Sequence, residues 1–229
     1  LAREVFGSAD NLIKIDMSEF SERHNTSRLL GAPAGYIGYD DGGQLTDKIR
    51  RQPYSVVLFD EIEKANSDVF HLLLQILEDG RLTDAKGREV NFSNAIIILT
   101  SNLGADKMMR ESSLGFHAIT KDDHKKLEEV HQENAAAAKE ALGRIMRPEL
   151  INRFDAILTF RALTPREVGK IFDKLLGELQ ERLVRKGLHL GVSPSAKRLI
   201  LKHGYDEKYG ARPLRRAMQD ILEHKIAEG

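Results

Sequence analysis

Two adjacent carboxylates, Asp60 and Glu61, follow directly after the apolar residues 56–59. A short apolar run after a polar segment predicts a strand buried on both faces, as in a parallel sheet covered by helices. The carboxyl ends of such strands form the edge at which α/β proteins bind ligands. One carboxylate can help to hold Mg²⁺ there, and the other can orient a water molecule for phosphoryl transfer. Taken alone the pattern is weak, because many buried strands end in an acidic residue.

Further polar groups follow the two acids along the chain. Asn102 comes just after a second apolar run at 95–100, where its amide could orient a water molecule or sense a terminal phosphate. Arg147 and Arg153 lie in one short segment, and Arg212 opens a later helix. Arginine is always charged and makes forked contacts that suit a phosphate, and an arginine from a neighbouring subunit can stabilise transition-state charge.

Two segments of different composition must position these groups. Residues 1–162 carry strand patterns that alternate with helical ones, which predicts an α/β domain with a parallel sheet between helices. Residues 163–229 read as a small, mainly helical domain, whose first helix starts with a proline after a capping residue. The expected strands of the first domain are residues 12–16, 56–61, 95–100 and 157–160.

The overall composition excludes several classes of protein. The chain has 229 residues, of which 41% are hydrophobic and 31% charged, as in ordinary globular proteins. The 35 basic residues balance the 35 acidic ones, which argues against a nucleic-acid partner. No apolar run approaches the roughly 20 residues of a membrane span. The absence of cysteine fits a reducing compartment, so we predict a cytoplasmic protein without a membrane partner.

Together these motifs resemble the second AAA+ ATPase module of a Clp-family unfoldase, and most closely that of the ClpC type. The resemblance covers nearly the whole chain and implies a three-layer AAA+ sheet followed by a small helical domain. Four segments carry it, in the order Walker B element, sensor 1, arginine-finger segment and sensor 2: residues 58–65, 100–102, 147–155 and 210–216.

The resemblance implies a role for each matching residue. Asp60 would support Mg²⁺, Glu61 would polarise the attacking water, and Asn102 would be the polar sensor. Arg153 would be the finger that acts on the neighbouring subunit's ATP, with Arg147 as a possible second contact across that interface.

The small domain would contribute further groups to the nucleotide. Arg212 would be its sensor. Val168 and Ile171 fall where the family lines the adenine pocket, although a core-facing helix is the favoured interpretation of each taken singly.

Two loops imply contacts with other proteins. Tyr36 and Ile37, in a glycine-rich loop, resemble the pore loop that grips unfolded substrates, and residues 84–90 resemble a second, polar pore loop. A solvent-exposed loop is the alternative. The tip formed by Leu114, Gly115 and Phe116 resembles the segment that docks on a ClpP-type peptidase, unless it is a local anchor.

The implied intact protein is a homo-hexamer that uses ATP and Mg²⁺ to thread polypeptides through its ring, towards a ClpP-type peptidase. A ClpB-type disaggregase without a protease partner is the alternative within the family. An AAA+ nucleic-acid motor and a non-catalytic interaction module are the alternatives from other classes.

The sequence departs from the family pattern at one place. It contains no G-x-x-x-x-G-K-[ST] phosphate loop, and in the family this loop and the first strand lie just before the residues that correspond to Leu1. We therefore expect a chain truncated at both ends that does not hydrolyse ATP by itself. Because the first strand would lie between strands 95–100 and 156–160, we also expect a gap, a rearrangement or a borrowed strand in the sheet.

Overall fold

The computed structural model describes residues 1–32, 42–103, 121–161, 163–206 and 210–224, without the side chains of 121–130 and 165. The described chain divides into two compact units, with the change at Thr159 and Phe160. The first unit is a parallel sheet with helices and the second is helical, which confirms the predicted fold class. No helix in the described ranges has the length and apolar character needed to cross a bilayer.

The first unit begins with a short helix and alternates strands with helices. Its α-helices are α1 (Ala2–Phe6), α2 (Arg23–Leu30), α3 (Thr46–Arg51), α4 (Ser67–Asp79), α5 (Lys121–Ile145) and α6 (Pro148–Ile151). Its strands are β1 (Leu12–Asp16), β2 (Val56–Asp60), β3 (Arg81–Thr83), β4 (Glu89–Asn91) and β5 (Ile96–Leu99).

The main sheet has three parallel strands in the order β1-β2-β5. In its register Asp16 lies beside Asp60, and Phe59 lies beside Leu99. The strand predictions at 12–16, 56–61 and 95–100 are therefore confirmed. Since all three strands run the same way, the polar residues that follow them meet at one edge.

The strand predicted at 157–160 is wrong, because this segment has no strand structure. Its side chains are largely in solvent, with 78% of Leu158 and 88% of Phe160 exposed. A strand needs a neighbour to pair its backbone groups, and within the described residues β5 pairs with β2 alone. Among the described residues the sheet thus ends at β5, on the side where a gap, a rearrangement or a borrowed strand was expected.

Helix α4 and the hairpin after it follow their sequence signals. The Asn66 side chain accepts a hydrogen bond from the backbone N–H of Asp68 at 3.0 Å and caps the helix. Gly80 ends it in the left-handed conformation, with φ of 66°. The chain then forms the antiparallel hairpin of β3 and β4, which buries Leu82 and Val90 in the core of the first unit.

The second unit consists of α7 (Pro165–Val184), α8 (Pro194–Gly204) and α9 (Arg212–Met218), followed by a π-helical turn at Gln219–Glu223. Thr164 and Glu167 form the reciprocal capping box that starts α7. The unit has its own core, centred on Phe172, Ile200 and Leu214.

Candidate functional site

Asp60 ends β2, and Glu61 follows it in the left-handed conformation, with φ of 57°. Glu61 is the single non-glycine residue with positive φ in the described ranges. Such a backbone costs on the order of 1–3 kcal/mol and persists where surrounding contacts hold it. Here the Thr100 hydroxyl accepts a hydrogen bond from the Glu61 backbone N–H at 3.3 Å, so the turn is anchored to the end of β5.

Side chains that follow β5 complete the group. The Thr100 hydroxyl donates to Asp60 Oδ1 at 2.5 Å, and Asn102 Nδ2 donates to Glu61 Oε1 at 3.4 Å. The Asn102 backbone N–H donates to Glu63 Oε1 at 3.1 Å. The structure therefore brings together Asp60, Glu61 and Asn102, as the sequence predicted. It adds Thr100, which lies in the predicted sensor 1 segment 100–102 but had no predicted role of its own.

Two lysines that sequence reasoning missed neutralise the acids. Lys14 Nζ lies 2.6 Å from Asp60 Oδ2, and the Lys64 ammonium contacts Glu61 Oε2. The hydrogen bond to Asp60 and the charge of that carboxylate raise the pKa of Lys14 above its usual value. The hydrogen bond and charge of Glu61 do the same for the pKa of Lys64. Both ammonium groups therefore stay charged at neutral pH, and each acid has a counter-ion.

Asp16 adds a third carboxylate to this edge, since it ends β1 in register with Asp60. Its Oδ1 accepts hydrogen bonds from the Ser18 hydroxyl at 2.6 Å and from the Ser18 backbone N–H at 2.9 Å. These two contacts, the hydroxyl first, hold the pKa of Asp16 below its usual value. Asp16 is therefore ionised at neutral pH.

The donor set fits a magnesium ion that keeps most of its water. Asp60 and Glu61 are partly open to solvent, with 29% and 32% of their side chains exposed. Among the described residues, no group of three or more His, Cys, Asp or Glu could form a metal cage. Mg²⁺ in nucleotide sites usually takes one or two carboxylates and completes its shell with water and phosphate oxygens. Asp60 can supply such a ligand once Lys14 gives up its oxygen.

The two predicted interface arginines do not contact this group. Arg153 forms an ion pair with Glu78 near the end of α4, and Arg147 is the exposed N-cap residue of α6. Nearly half of the Arg153 side chain is exposed. Their predicted action on a neighbouring subunit stays a prediction.

The predicted site residues of the second unit are one exposed arginine and two apolar residues of its core region. Arg212 is the exposed first residue of α9. Val168 is buried in the core of the second unit, and Ile171 packs against that core. Core packing therefore accounts for both apolar residues, and their contact with an adenine ring stays a prediction.

Five predicted contact residues lie outside the described ranges. They are the pore-loop residues Tyr36 and Ile37 and the docking residues Leu114, Gly115 and Phe116. By contrast, the predicted second loop at 84–90 lies within the described ranges. Residues 84–88 form the turn of the β3–β4 hairpin, and residues 89–90 belong to β4.

A parallel sheet whose carboxyl edge joins an Asp-Glu pair to a hydroxyl and an amide is typical of α/β domains that bind and hydrolyse nucleotides. Comparison with known families makes this class specific. The family described as AAA domain (Cdc48 subfamily) matches residues 1–157, and the chain belongs to that family. Residues 163–229 match the C-terminal D2-small domain of ClpB protein.

The curated relatives are Clp proteins. The chain is 47% identical over 228 residues to the negative regulator of genetic competence ClpC/MecB of Bacillus subtilis, covering all of this chain and 27% of the relative. It is also 47% identical over 228 residues to the chaperone protein ClpB of Clostridium tetani, covering all of this chain and 25% of that relative. The resemblance to the second AAA+ module of Clp proteins is confirmed, but these identities do not separate ClpC from ClpB.

Solved structures agree with the sequence relatives. The chain matches Hsp104 of S. cerevisiae in its complex with casein, with a TM-score of 0.83 and 38% identity, over 99% of this chain and 37% of that chain. The Hsp104–ADP complex gives the same TM-score, identity and coverage. The chain thus spans about a quarter of the length of the curated relatives and little more than a third of Hsp104.

Proposed function

We propose that this chain is part of the ATP-hydrolysing second module of a Clp-type protein unfoldase. The observation that carries the proposal is the joined group of Asp60, Glu61, Thr100 and Asn102 at the carboxyl edge of the sheet. The AAA family match and the Clp relatives support it. In this proposal the two domains divide between residues 162 and 163.

Mg²⁺-bound ATP would supply the reactive phosphate and the neutralisation of its charge. Asp60 would hold the metal, oriented by the Thr100 hydroxyl. Glu61 would orient the attacking water, with Asn102 limiting where its carboxylate can lie. Arg153 and Arg147 would act on the ATP of the next subunit, and the small-domain sensor would report the state of the nucleotide.

Glu61→Gln in the intact protein tests the catalytic assignment. The amide keeps the size of the side chain but cannot take a proton, so we expect turnover to fall by a factor on the order of 10²–10⁴. Nucleotide binding, measured with a fluorescent ATP analogue, should remain. Glu4→Gln, on the exposed first helix, is the matched control and should hydrolyse ATP normally. Normal turnover in Glu61→Gln would contradict the proposal.

The isolated chain offers a second test. Since its 229 residues contain no phosphate loop of the G-x-x-x-x-G-K-[ST] type, we expect no ATPase activity from it. Activity that disappears with Glu61→Gln would show that another segment replaces that loop.

The substrate of the intact protein would be unfolded polypeptide, threaded through a hexameric ring in the cytoplasm. Tyr36 and Ile37 would grip the chain, because an aromatic side chain packs on any polypeptide without reading its sequence. Tyr36→Ala should slow unfolding of a tagged test protein strongly, whereas Tyr36→Phe should retain most of the rate. Equal rates in the two variants would remove the pore role.

A ClpP-type peptidase is the proposed partner, through Leu114, Gly115 and Phe116. Deletion of these residues in the intact protein should abolish peptidase-dependent degradation and leave ATP hydrolysis in place. Unchanged degradation would favour the ClpB-type disaggregase, which the 47% identity to ClpB equally allows. Salt-sensitive DNA binding would instead favour a nucleic-acid motor.

A further inference from the structure

Asp84, in the turn of the β3–β4 hairpin, is the one buried carboxylate in the part of the chain that the structure describes, with 5% of the residue exposed. A buried charge is costly unless partners surround it, and removal of one partner is strongly destabilising. The contacts of Asp84 therefore indicate which segments this charge holds together.

Within the hairpin, both oxygens of Asp84 are engaged. Oδ1 accepts hydrogen bonds from the backbone N–H groups of Lys86 and Arg88, each at 2.9 Å. Oδ2 accepts from Arg88 Nε at 2.7 Å and lies 2.6 Å from Arg88 Nη2. Burial by itself raises the pKa of Asp84, but the Arg88 guanidinium and these N–H groups outweigh it and hold the pKa below its usual value.

Two charged residues of α3 extend the cluster beyond the hairpin. Arg50 Nη1 lies 3.6 Å from Asp84 Oδ2, and Arg50 Nη2 lies 2.7 Å from Asp47 Oδ1. Arg88 Nη2 in turn lies 3.6 Å from Asp47 Oδ1. The hairpin turn is thus tied by charge to the helix that follows segment 33–41.

The same turn is tied to the helix that precedes this segment. The Ala85 backbone N–H donates to the carbonyl oxygen of Leu30, the last residue of α2, at 3.2 Å. The two flanks also meet each other: the Gln44 N–H donates to the Arg28 carbonyl at 2.8 Å. At Gly43 a Cβ would lie 2.5 Å from the Leu29 carbonyl oxygen, so only glycine allows this approach.

Chain connectivity links this cluster to the catalytic edge. Helix α3 leads into β2, which ends in Asp60, and β4 leads towards β5, after which Thr100 follows. The cluster therefore joins α3, which leads into β2, to the hairpin that leads towards β5.

We propose that Asp84 is a positioning residue that joins the hairpin turn 84–88 to the end of α2 and the start of α3, so that these three segments move as one unit. This inference rests on the proposed function. It assigns to a buried ion cluster the coupling between the hairpin turn, which is the predicted second pore loop, and α3, which leads through β2 to the catalytic edge.

The test uses Asp84→Asn in the intact protein, because the amide keeps the shape but removes the charge. We expect the stimulation of ATP hydrolysis by an unfolded protein, expressed as the ratio to the unstimulated rate, to fall about tenfold. Amide hydrogen exchange in residues 28–32 and 43–51 should rise, which reports the loss of coupling without any activity measurement.

Two further variants make the outcome decisive. Arg50→Gln breaks the link from α3 to Asp84 and leaves Arg88 in place, so it should reproduce both effects in a folded protein. Arg81→Gln breaks an exposed ion pair with Glu89 on the same hairpin and should resemble the wild type in both measurements.

Unchanged amide hydrogen exchange in Asp84→Asn and Arg50→Gln would overturn the inference. The same holds if their ratios of stimulated to unstimulated ATP hydrolysis equal that of Arg81→Gln. If the wild-type protein shows no stimulation by unfolded protein, the proposed function fails, and the exchange data alone then decide whether the cluster joins the segments.

Discussion

At the scale of single residues, the Thr100 hydroxyl contacts both acidic residues of the site. It donates to Asp60 Oδ1 and accepts from the Glu61 backbone N–H, so one group orients both acids. A hydrogen bond to a charged group contributes about 1.5–3 kcal/mol.

Thr100→Val keeps the branched shape and removes these contacts. We expect ATP turnover of the intact protein to fall about tenfold to a hundredfold, as the loss of 1.5–3 kcal/mol of orientation predicts. Steady-state kinetics at saturating ATP checks this. Thr83→Val, at an exposed position of β3, is the control and should leave turnover unchanged. A loss of similar size in both variants would point to general destabilisation.

Glu167 gives a prediction on pH. Hydrogen bonds from the Thr164 backbone N–H and hydroxyl, followed by Arg161, lower the pKa of Glu167 to about 2. A folded pKa below the unfolded value of 4.5 means that the contribution to stability is complete above pH 4.5 and is lost as pH falls towards 2. The stability difference between wild type and Glu167→Gln should therefore shrink over this range. Urea unfolding at several pH values measures it, and a constant difference would contradict the assignment.

The sequence predicted part of this site for a clear reason. Asp60, Glu61 and Asn102 follow apolar runs, and the ends of parallel strands converge. The contacts of Lys14 and of the Thr100 hydroxyl were not predicted, because they depend on strand register and on side-chain direction, which spacing along the chain does not determine. The burial of Asp84 was not predicted, because it depends in part on α3, whose Arg50 lies more than thirty residues earlier in the chain.

At the scale of elements, α8 and α9 approach each other closely at Gly204. A Cβ on this residue would lie 2.8 Å from the Leu214 Cα and 2.4 Å from its Cδ1. Since the first of these atoms is backbone, the two helices would have to separate.

Gly204→Ala should therefore destabilise the second unit by about 1–3 kcal/mol, the usual cost of overpacking. Gly177→Ala is the matched control, since it lies inside α7 with no atom within 4 Å of the added Cβ. That variant should gain about 0.5–1 kcal/mol from helix propensity. Chemical unfolding of both variants checks the opposite signs, and equal shifts would show that the close approach does not matter.

The wrong strand prediction at 157–160 is also explained at the scale of elements. An apolar run shows that a segment could pack in a sheet, but it does not show whether a neighbouring strand is present to pair with it. Phe160 is 88% exposed for this reason.

At the scale of the whole molecule, each unit has a core of its own. Phe59 and Leu73 belong to the first, and Phe172 and Ile200 belong to the second. The boundary between residues 162 and 163, which the change in composition predicts, stays a prediction.

Phe172→Ala should cost about 3–5 kcal/mol, because Phe172 is fully buried in the second core. We expect hydrogen-exchange protection to fall in α7, α8 and α9 and to stay high in β2. Phe59→Ala is the reciprocal variant, with the loss confined to the first unit. Protection lost in both units from either substitution would mean that the units unfold together.

The charges of Lys14 and Lys64 at the sheet edge should also affect the association rate of the nucleotide. Asp16, Asp60, Glu61 and Glu63 would repel the polyphosphate of an incoming ATP, and Lys14 and Lys64 offset part of that repulsion. Surface fields of this kind change association rates and depend on ionic strength. Replacing both lysines by methionine should lower the association rate of the nucleotide most at low salt. The difference in association rate from the wild type should become smaller as salt is added.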